Sequence, residues 1–252
     1  MKYSDQFADD PSIVFYKALK KVCKATNVKA VPIGAIGRYK FLKMEINPEA
    51  ERTVLITAGI HGDEPAGPYG ILKWLMESSC PEDIRIICLP LTNPTGFDDH
   101  DRHNANGRDL NRGFNKKMKP SKELEYIQEA INGESISMLL SLHEDRGHGG
   151  VYLYHAGVDT DACEELLAHC GKLIPVVSEE SIYGDPCYDG MIEVSRTNSD
   201  PKHRNSLENT LQSLGVAQIT FETPALADLD LRCEVHKRVI DYVINKIDDF
   251  MK

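Results

Sequence analysis

The sequence predicts one α/β domain spanning residues 1–252, with a twisted, mixed but mainly parallel sheet flanked by helices. Three observations lead there. Short apolar runs of strand length, at 54–58, 84–91, 136–142 and 217–221, alternate with longer segments of helical periodicity. No internal repeat, low-complexity tract or shift in composition divides the chain. The length of 252 residues, with 41% hydrophobic and 27% charged residues, suits a sizeable core and argues against disorder.

Taken in order, Asp10-Pro11 opens a helix through Ile13, Phe15, Leu19 and Val22 that ends near Thr26. Residues 29–46 read as two short strands around 34–37. Val54-Leu55-Ile56-Thr57-Ala58 is a buried strand that runs into a Gly-bearing turn, Gly59 to Glu64, and then a helix over 65–76. The strand 84–91 ends at Asn93-Pro94-Thr95-Gly96, which has the composition of a turn. A polar stretch, 98–115, lacks periodicity. Ser121 is placed to cap a helix that follows it. The strand 136–142 ends at His143, a further strand covers 151–154, and a helix covers 161–173. Residues 179–205 form a long irregular segment, which in a compact domain is usually functional. A helix over 206–214, a strand over 217–221 and an amphipathic helix over 229–250 complete the chain.

Bulk properties exclude several classes of function. The net charge of −10 disfavours nucleic acid and anionic membranes as partners, because both need a basic surface. No apolar run approaches a membrane span. The first ten residues lack the basic and apolar regions of a signal peptide. Seven cysteines are scattered, odd in number and without a Cys-x-x-Cys pair, which favours free thiols in a reducing compartment. A cytoplasmic protein is the expectation.

The chemistry-bearing residues recur at the ends of apolar strands. His61 and Glu64 follow the first, His143 ends another, and Glu222 ends the last. In open α/β sheets such ends gather on one rim, where ligands bind. Singly, each has an ordinary reading: a surface or capping histidine, a first-turn acid favoured by a helix dipole, a loop residue before Pro224. Together they have the composition of a hydrolytic metal site. Two imidazoles and a carboxylate suit zinc with one open position, where a bound water has its pKa lowered toward neutrality. A further carboxylate, Glu222, can take the proton of that water. The loop 102–112, Arg102-His103-Asn104-Ala105-Asn106-Gly107-Arg108-Asp109-Leu110-Asn111-Arg112, offers guanidinium groups able to grip a carboxylate or an oxyanion. It also reads as a solvated basic loop on an acidic protein.

With these motifs assembled, the chain resembles the zinc carboxypeptidase family, whose fold is that of carboxypeptidase A. The matching elements are His61-Gly62-Asp63-Glu64, Asn93-Pro94-x-Gly96, Arg102-x-Asn104-x-x-Gly107-x-Asp109-Leu110-Asn111-Arg112-x-Phe114, His143 and Phe221-Glu222. Their order and spacing fit from about residue 30 onward. The resemblance implies one zinc (Zn2+) per chain on His61, Glu64 and His143, the ligand types that carboxypeptidase A itself carries. It implies that Glu222 is the general base and acid, and that Arg102 polarises the scissile carbonyl. Asn111 and Arg112 would hold the substrate's terminal carboxylate, and Asp109 would orient His61. A tyrosine on a mobile loop covers the substrate in this family; Tyr183 and Tyr188 both lie in the right segment. His148, Arg146 and Arg196 could supply charge to the side-chain pocket.

Leu142-His143-Glu144-Asp145 and Gly150-Val151-Tyr152-Leu153-Tyr154 resemble the bacterial intracellular branch that includes murein tripeptide amidase. The implied substrate is a small peptide or acyl-amino acid with a free carboxylate. Aspartoacylase and succinylglutamate desuccinylase share the His-x-x-Glu and Asp-Leu-Asn-Arg motifs, so an N-acyl-amino-acid deacylase is the main alternative. Those proteins usually add a β-rich domain after the catalytic glutamate, whereas the 30 residues after Glu222 read as one helix. A catalytically silent zinc-binding relative is a third reading.

Overall fold

The computed structural model describes residues 10–114, 119–194 and 204–252. Helix α1 (Pro11–Thr26) begins on a proline, whose fixed φ suits a first helical position. The hairpin β1 (Lys29–Ile36) and β2 (Tyr39–Ile46) turns at Gly37, which has φ +57°. Then come β3 (Arg52–Ala58), α2 (Ala66–Glu77), β4 (Ile84–Leu89) and α3 (Pro94–Asp99). The tetrapeptide 93–96 is therefore more than a turn. Asn93 caps α3 by accepting a hydrogen bond from the Gly96 N–H at 3.0 Å, and Pro94 starts the helix.

After a 3-10 turn (Leu110–Arg112) come α4 (Lys122–Ile131), β5 (Ile136–Asp145), β6 (Tyr152–Ala156) and α5 (Thr160–Cys170). The expected cap of α4 is not made: the Ser121 side chain makes no capping bond, and its hydroxyl is buried without a partner. The long irregular segment contains short strands β7 (Ser181–Ile182), β8 (Asp185–Pro186) and β9 (Met191–Glu193). Helix α6 (Leu207–Ser213), β10 (Ala217–Pro224), α7 (Leu229–Asn245) and α8 (Ile247–Phe250) follow, so the closing helix breaks near Lys246.

Eight strands form one mixed sheet in the order β1-β2-β4-β3-β5-β10-β6-β9. The central block β4-β3-β5-β10 is parallel throughout, and antiparallel pairs flank it. Buried on both faces, these strands read as continuous apolar runs in sequence. Val54, Ile56, Leu140, Leu142, Ile219 and Phe221 face one layer, packed with α1, α2, α5 and α7. Leu55, Ile87, Leu89 and Leu139 face the other, with Leu124 and Ile127 of α4 and Leu207 and Leu211 of α6.

This topology positions the site. The chain leaves β3 toward β4 on one side, then crosses back to β5 on the other. The carboxyl end of β3 is thus a switch point of the sheet, where a crevice opens. His61 and Glu64 lie just beyond it.

Candidate active site

The His61–Glu64 turn is held by backbone contact that only glycine permits. Gly59 has φ +61°, and a Cβ on Gly62 would lie 2.0 Å from the carbonyl carbon of Gly96. The His-Gly-Asp-Glu and Asn-Pro-x-Gly motifs are therefore two sides of one packing contact. The Asn93 N–H donates to the Gly59 carbonyl at 2.8 Å, and its side-chain amide donates to the Arg102 carbonyl at 3.3 Å. Asn93 thus ties the histidine turn to the start of the arginine loop.

Residues 79 positions apart in sequence meet at Glu64. Its Oε1 lies 2.6 Å from His61 Nδ1, and its Oε2 lies 2.9 Å from His143 Nδ1. All three side chains are buried, and each offers one ligand atom within 4.8 Å of the others. Burial works to raise the Glu64 carboxyl, but the two histidines outweigh it and hold it well below the usual range. Burial works to lower His143, yet Glu64, Glu208 and Glu222 drive it well above its ordinary value.

The arrangement fits a divalent cation. Both rings turn Nδ1 inward and Nε2 outward toward a carboxylate. His61 Nε2, with no hydrogen-bond partner, lies 3.6 Å from Asp109 Oδ1. His143 Nε2 lies 3.1 Å from Ser141 Oγ and 3.3 Å from Glu208 Oε1. Such outer partners favour the tautomer that leaves the inner nitrogen free to bind a metal. A cation among these atoms would sit where Glu64 and the two inner nitrogens now meet.

Glu222 is half-buried on β10, directly across from His143 on the parallel neighbour β5. The sequence suggested that each residue ends its strand, but neither does: β5 runs to Asp145 and β10 to Pro224. The extra residues stay paired because Glu144 and Thr223 turn to the opposite face and bond there. Glu144 accepts from the Ala66 N–H at 2.7 Å and pairs with Arg232 of α7. The Thr223 hydroxyl lies 3.1 Å from His236 Nε2. Burial pushes the Glu222 carboxyl up to about 8, against the pull of His143.

Arg102 stands at the rim. Its Nε donates to Asp109 Oδ2 at 2.9 Å, and its Nη1 lies 3.9 Å from Glu64 Oε1. Asp109 also accepts from the Asn111 N–H at 2.9 Å, which fixes the 3-10 turn. Asn111 is buried, while Arg112 is exposed with Nη1 on the Asn111 carbonyl at 2.8 Å. His61, Glu64, His143, Glu222, Arg102, Asn111 and Arg112 all line one cavity of about 460 Å³. Asp109 braces that group from behind.

Tyr183 lines the same cavity and donates to Asp145 Oδ1 at 2.6 Å, whereas Tyr188 is 73% exposed and does not line it. His148 bonds to Asp145 and Arg146 pairs with Asp63, and neither lines the cavity. Arg196 lies outside the described residues. Sequence reasoning missed Glu208, and it missed Gln218 and Thr220, which share one face of β10 with the expected Glu222. The strand period of two would have found that row, since every second residue shares a face. Glu208 left no such signal, because a glutamate in the first turn of a helix is ordinary.

Fold and site together define the class: a zinc carboxypeptidase-like fold with a candidate His–Glu–His metal centre. The particular relatives agree with the motifs. Residues 50–162 match the succinylglutamate desuccinylase/aspartoacylase catalytic domain family. A structure described as a metallopeptidase from Shewanella baltica OS155 is 27% identical, covers 94% of this chain and 92% of its own, and has a TM-score of 0.79. The murein-tripeptide amidase from Escherichia coli O157 shares the fold at 18% identity and a TM-score of 0.62, over 85% of this chain and 91% of that one. Carboxypeptidase SOL1 of Arabidopsis thaliana is 34% identical over 77 residues, 26% of this chain. The match spans 16% of that plant protein. These relatives support a hydrolase. No described helix is long and apolar enough to cross a membrane.

Proposed function

We propose that the protein is a zinc metallocarboxypeptidase or amidase that hydrolyses a peptide or amide bond beside a free carboxylate. The observation that carries this reading is the convergence of two imidazole Nδ1 atoms on one buried carboxylate, with Glu222 across from His143 in the same cavity. His61, Glu64 and His143 would hold one zinc. Bound zinc would supply a Lewis acid and lower the pKa of a water toward neutrality.

The chain's own residues supply the rest. Glu222 takes a proton from the attacking water and returns it to the leaving amine, the two halves of general base and acid catalysis. Arg102, held in place by Asp109, faces the charge that develops on the carbonyl oxygen. Asn111 and Arg112 grip the substrate's terminal carboxylate, and Asp109 orients His61. The substrate is a small molecule, a short peptide or an acyl-amino acid, with no role for nucleic acid or membrane. All seven cysteines are free thiols, which supports a reducing, cytoplasmic setting.

The match to the desuccinylase/aspartoacylase catalytic domain favours a second reading, removal of an N-acyl group from an amino acid by the same machinery. A zinc assay with a two-arm substrate panel separates them. One arm follows release of C-terminal residues, including from peptides that end in diaminopimelate. The other uses N-acetyl and N-succinyl amino acids. Release of C-terminal residues with no deacylation supports the main reading, and the opposite pattern replaces it. A zinc-loaded protein inert to both arms is a catalytically silent relative.

A further inference from the structure

Each metal histidine has a carboxylate behind it, but the two carboxylates are placed differently. Asp109 serves His61 from the motif loop. The partner of His143 comes from α6. Glu208 accepts from the Ser141 hydroxyl at 2.7 Å through Oε1, which also lies 3.3 Å from His143 Nε2. Its Oε2 accepts from the Asn111 side-chain amide at 3.1 Å. The other end of that amide, Asn111 Oδ1, accepts from the Leu207 N–H at 3.0 Å. Glu208 is 8% exposed, so its hydrogen bonds are made at low dielectric, where they are strong and costly to lose.

We propose that Glu208 is a positioning residue that couples the metal site to the substrate clamp, one oxygen aligning His143 and the other aligning Asn111. The proposal rests on the metallohydrolase reading. A carboxylate behind a metal histidine fixes its tautomer and ring orientation and makes it a better donor. Here the same carboxylate also fixes Asn111, which does not belong to the group of metal-ligating side chains. Both contacts lie on the first turn of α6, so a shift on either side is felt by the other.

The competing explanation is that Glu208 is only a buried acid satisfying its neighbours. A glutamine distinguishes the two, because it can serve one side fully but not both. If its carbonyl faces Ser141 and His143, its NH2 meets the NH2 of Asn111. Asn111 has no room to reverse, since Leu207 holds its Oδ1.

The test is the zinc dissociation constant, measured on full-length protein by competition with a chromophoric chelator, without any substrate. Glu208→Ala should weaken zinc by about 10–100-fold, the usual effect of losing such a partner, with Glu208→Gln between it and the parent. Asn111→Ala should weaken zinc by roughly threefold or more in the parent and have no effect in the Glu208→Ala background, a non-additivity that marks coupling. A merely structural role would lower the unfolding midpoint without producing that pattern. Zinc affinity within twofold of the parent in both Glu208 variants overturns the proposal, as does an Asn111→Ala effect of equal size in both backgrounds. If Glu208→Ala does not fold, the cycle is run with Glu208→Gln, where a reduced Asn111→Ala effect supports the proposal and an unchanged one overturns it. A parent that takes up no zinc overturns the metallohydrolase reading as well; a parent that binds zinc with additive variants overturns this proposal alone.

Discussion

Glu222 and His143 are register partners on adjacent parallel strands, so a candidate base and a candidate metal ligand share one rung of the sheet. The side chains of such a pair leave the same face, and their separation is set by the backbone ladder, not by a flexible loop. Their chemistry is thereby anchored to the most buried part of the molecule.

That anchoring makes Glu222→Gln a clean test of the base. The substitution keeps shape and removes the proton acceptor. Turnover should fall by about 10²–10⁴-fold, while zinc content by elemental analysis stays at the parent level. Turnover near that of the parent would remove Glu222 from the mechanism.

Zinc should stabilise the fold as well as the reaction. Free zinc at 100 times its dissociation constant should add about 2.7 kcal/mol to the unfolding free energy. Dialysis against a chelator should lower the urea midpoint, and zinc should restore it. His143→Ala should show no zinc-dependent shift. A parent midpoint indifferent to chelator and metal would rule out a tight site.

The two candidate lid tyrosines should separate. Tyr183 lines the cavity with its hydroxyl on Asp145, and Tyr188 projects into solvent. Tyr183→Ala should raise KM for the active substrate class, and Tyr188→Ala should leave both KM and kcat within experimental scatter. Equal effects of the two substitutions would count against Tyr183 as the covering residue.

His236 gives a pH dependence of stability with a definite sign. Burial, then Arg232 and His143, depress its folded pKa to about 3, against an ordinary 6.5. Between those values the unfolded chain binds the extra proton. Stability from this group is therefore full above pH 6.5 and declines as pH falls toward 3, by up to about 1.4 kcal/mol per pH unit. Glu144 acts oppositely: burial drives its carboxyl up to about 7 despite Arg232, so its contribution declines as pH rises from 4.5 to 7. Urea unfolding of the parent and of His236→Gln at pH 5 and 6 isolates the histidine, since Glu144 is common to both. Parallel pH curves for the two proteins would contradict the assignment.

Much of the fold was legible because apolar runs buried on both faces have a length and punctuation that sequence preserves. The motif residues were legible for a related reason. Gly59, Asn93 and Asp109 each meet a local backbone demand, a positive φ or a cap, whereas Gly62 meets a close approach to Gly96. Local demands leave local signatures. The ends of β5 and β10 were misjudged because Glu144 and Thr223 look like strand terminators in a linear reading, yet they are buried and bonded to Arg232, Ala66 and His236.

By itself, then, the sequence determined the α/β class and singled out His61, Glu64, His143, Glu222 and the Arg102–Arg112 loop as candidates; that His61, Glu64 and His143 converge was decided by the tertiary structure. Only the tertiary structure decided that Tyr183 and not Tyr188 reaches the cavity, that His148 and Arg146 do not, and that Glu208 stands between His143 and Asn111. The physical reason is range. A cap or a turn is encoded within a few residues, whereas a hydrogen bond across 65 or 97 residues exists only once strands and helices have packed.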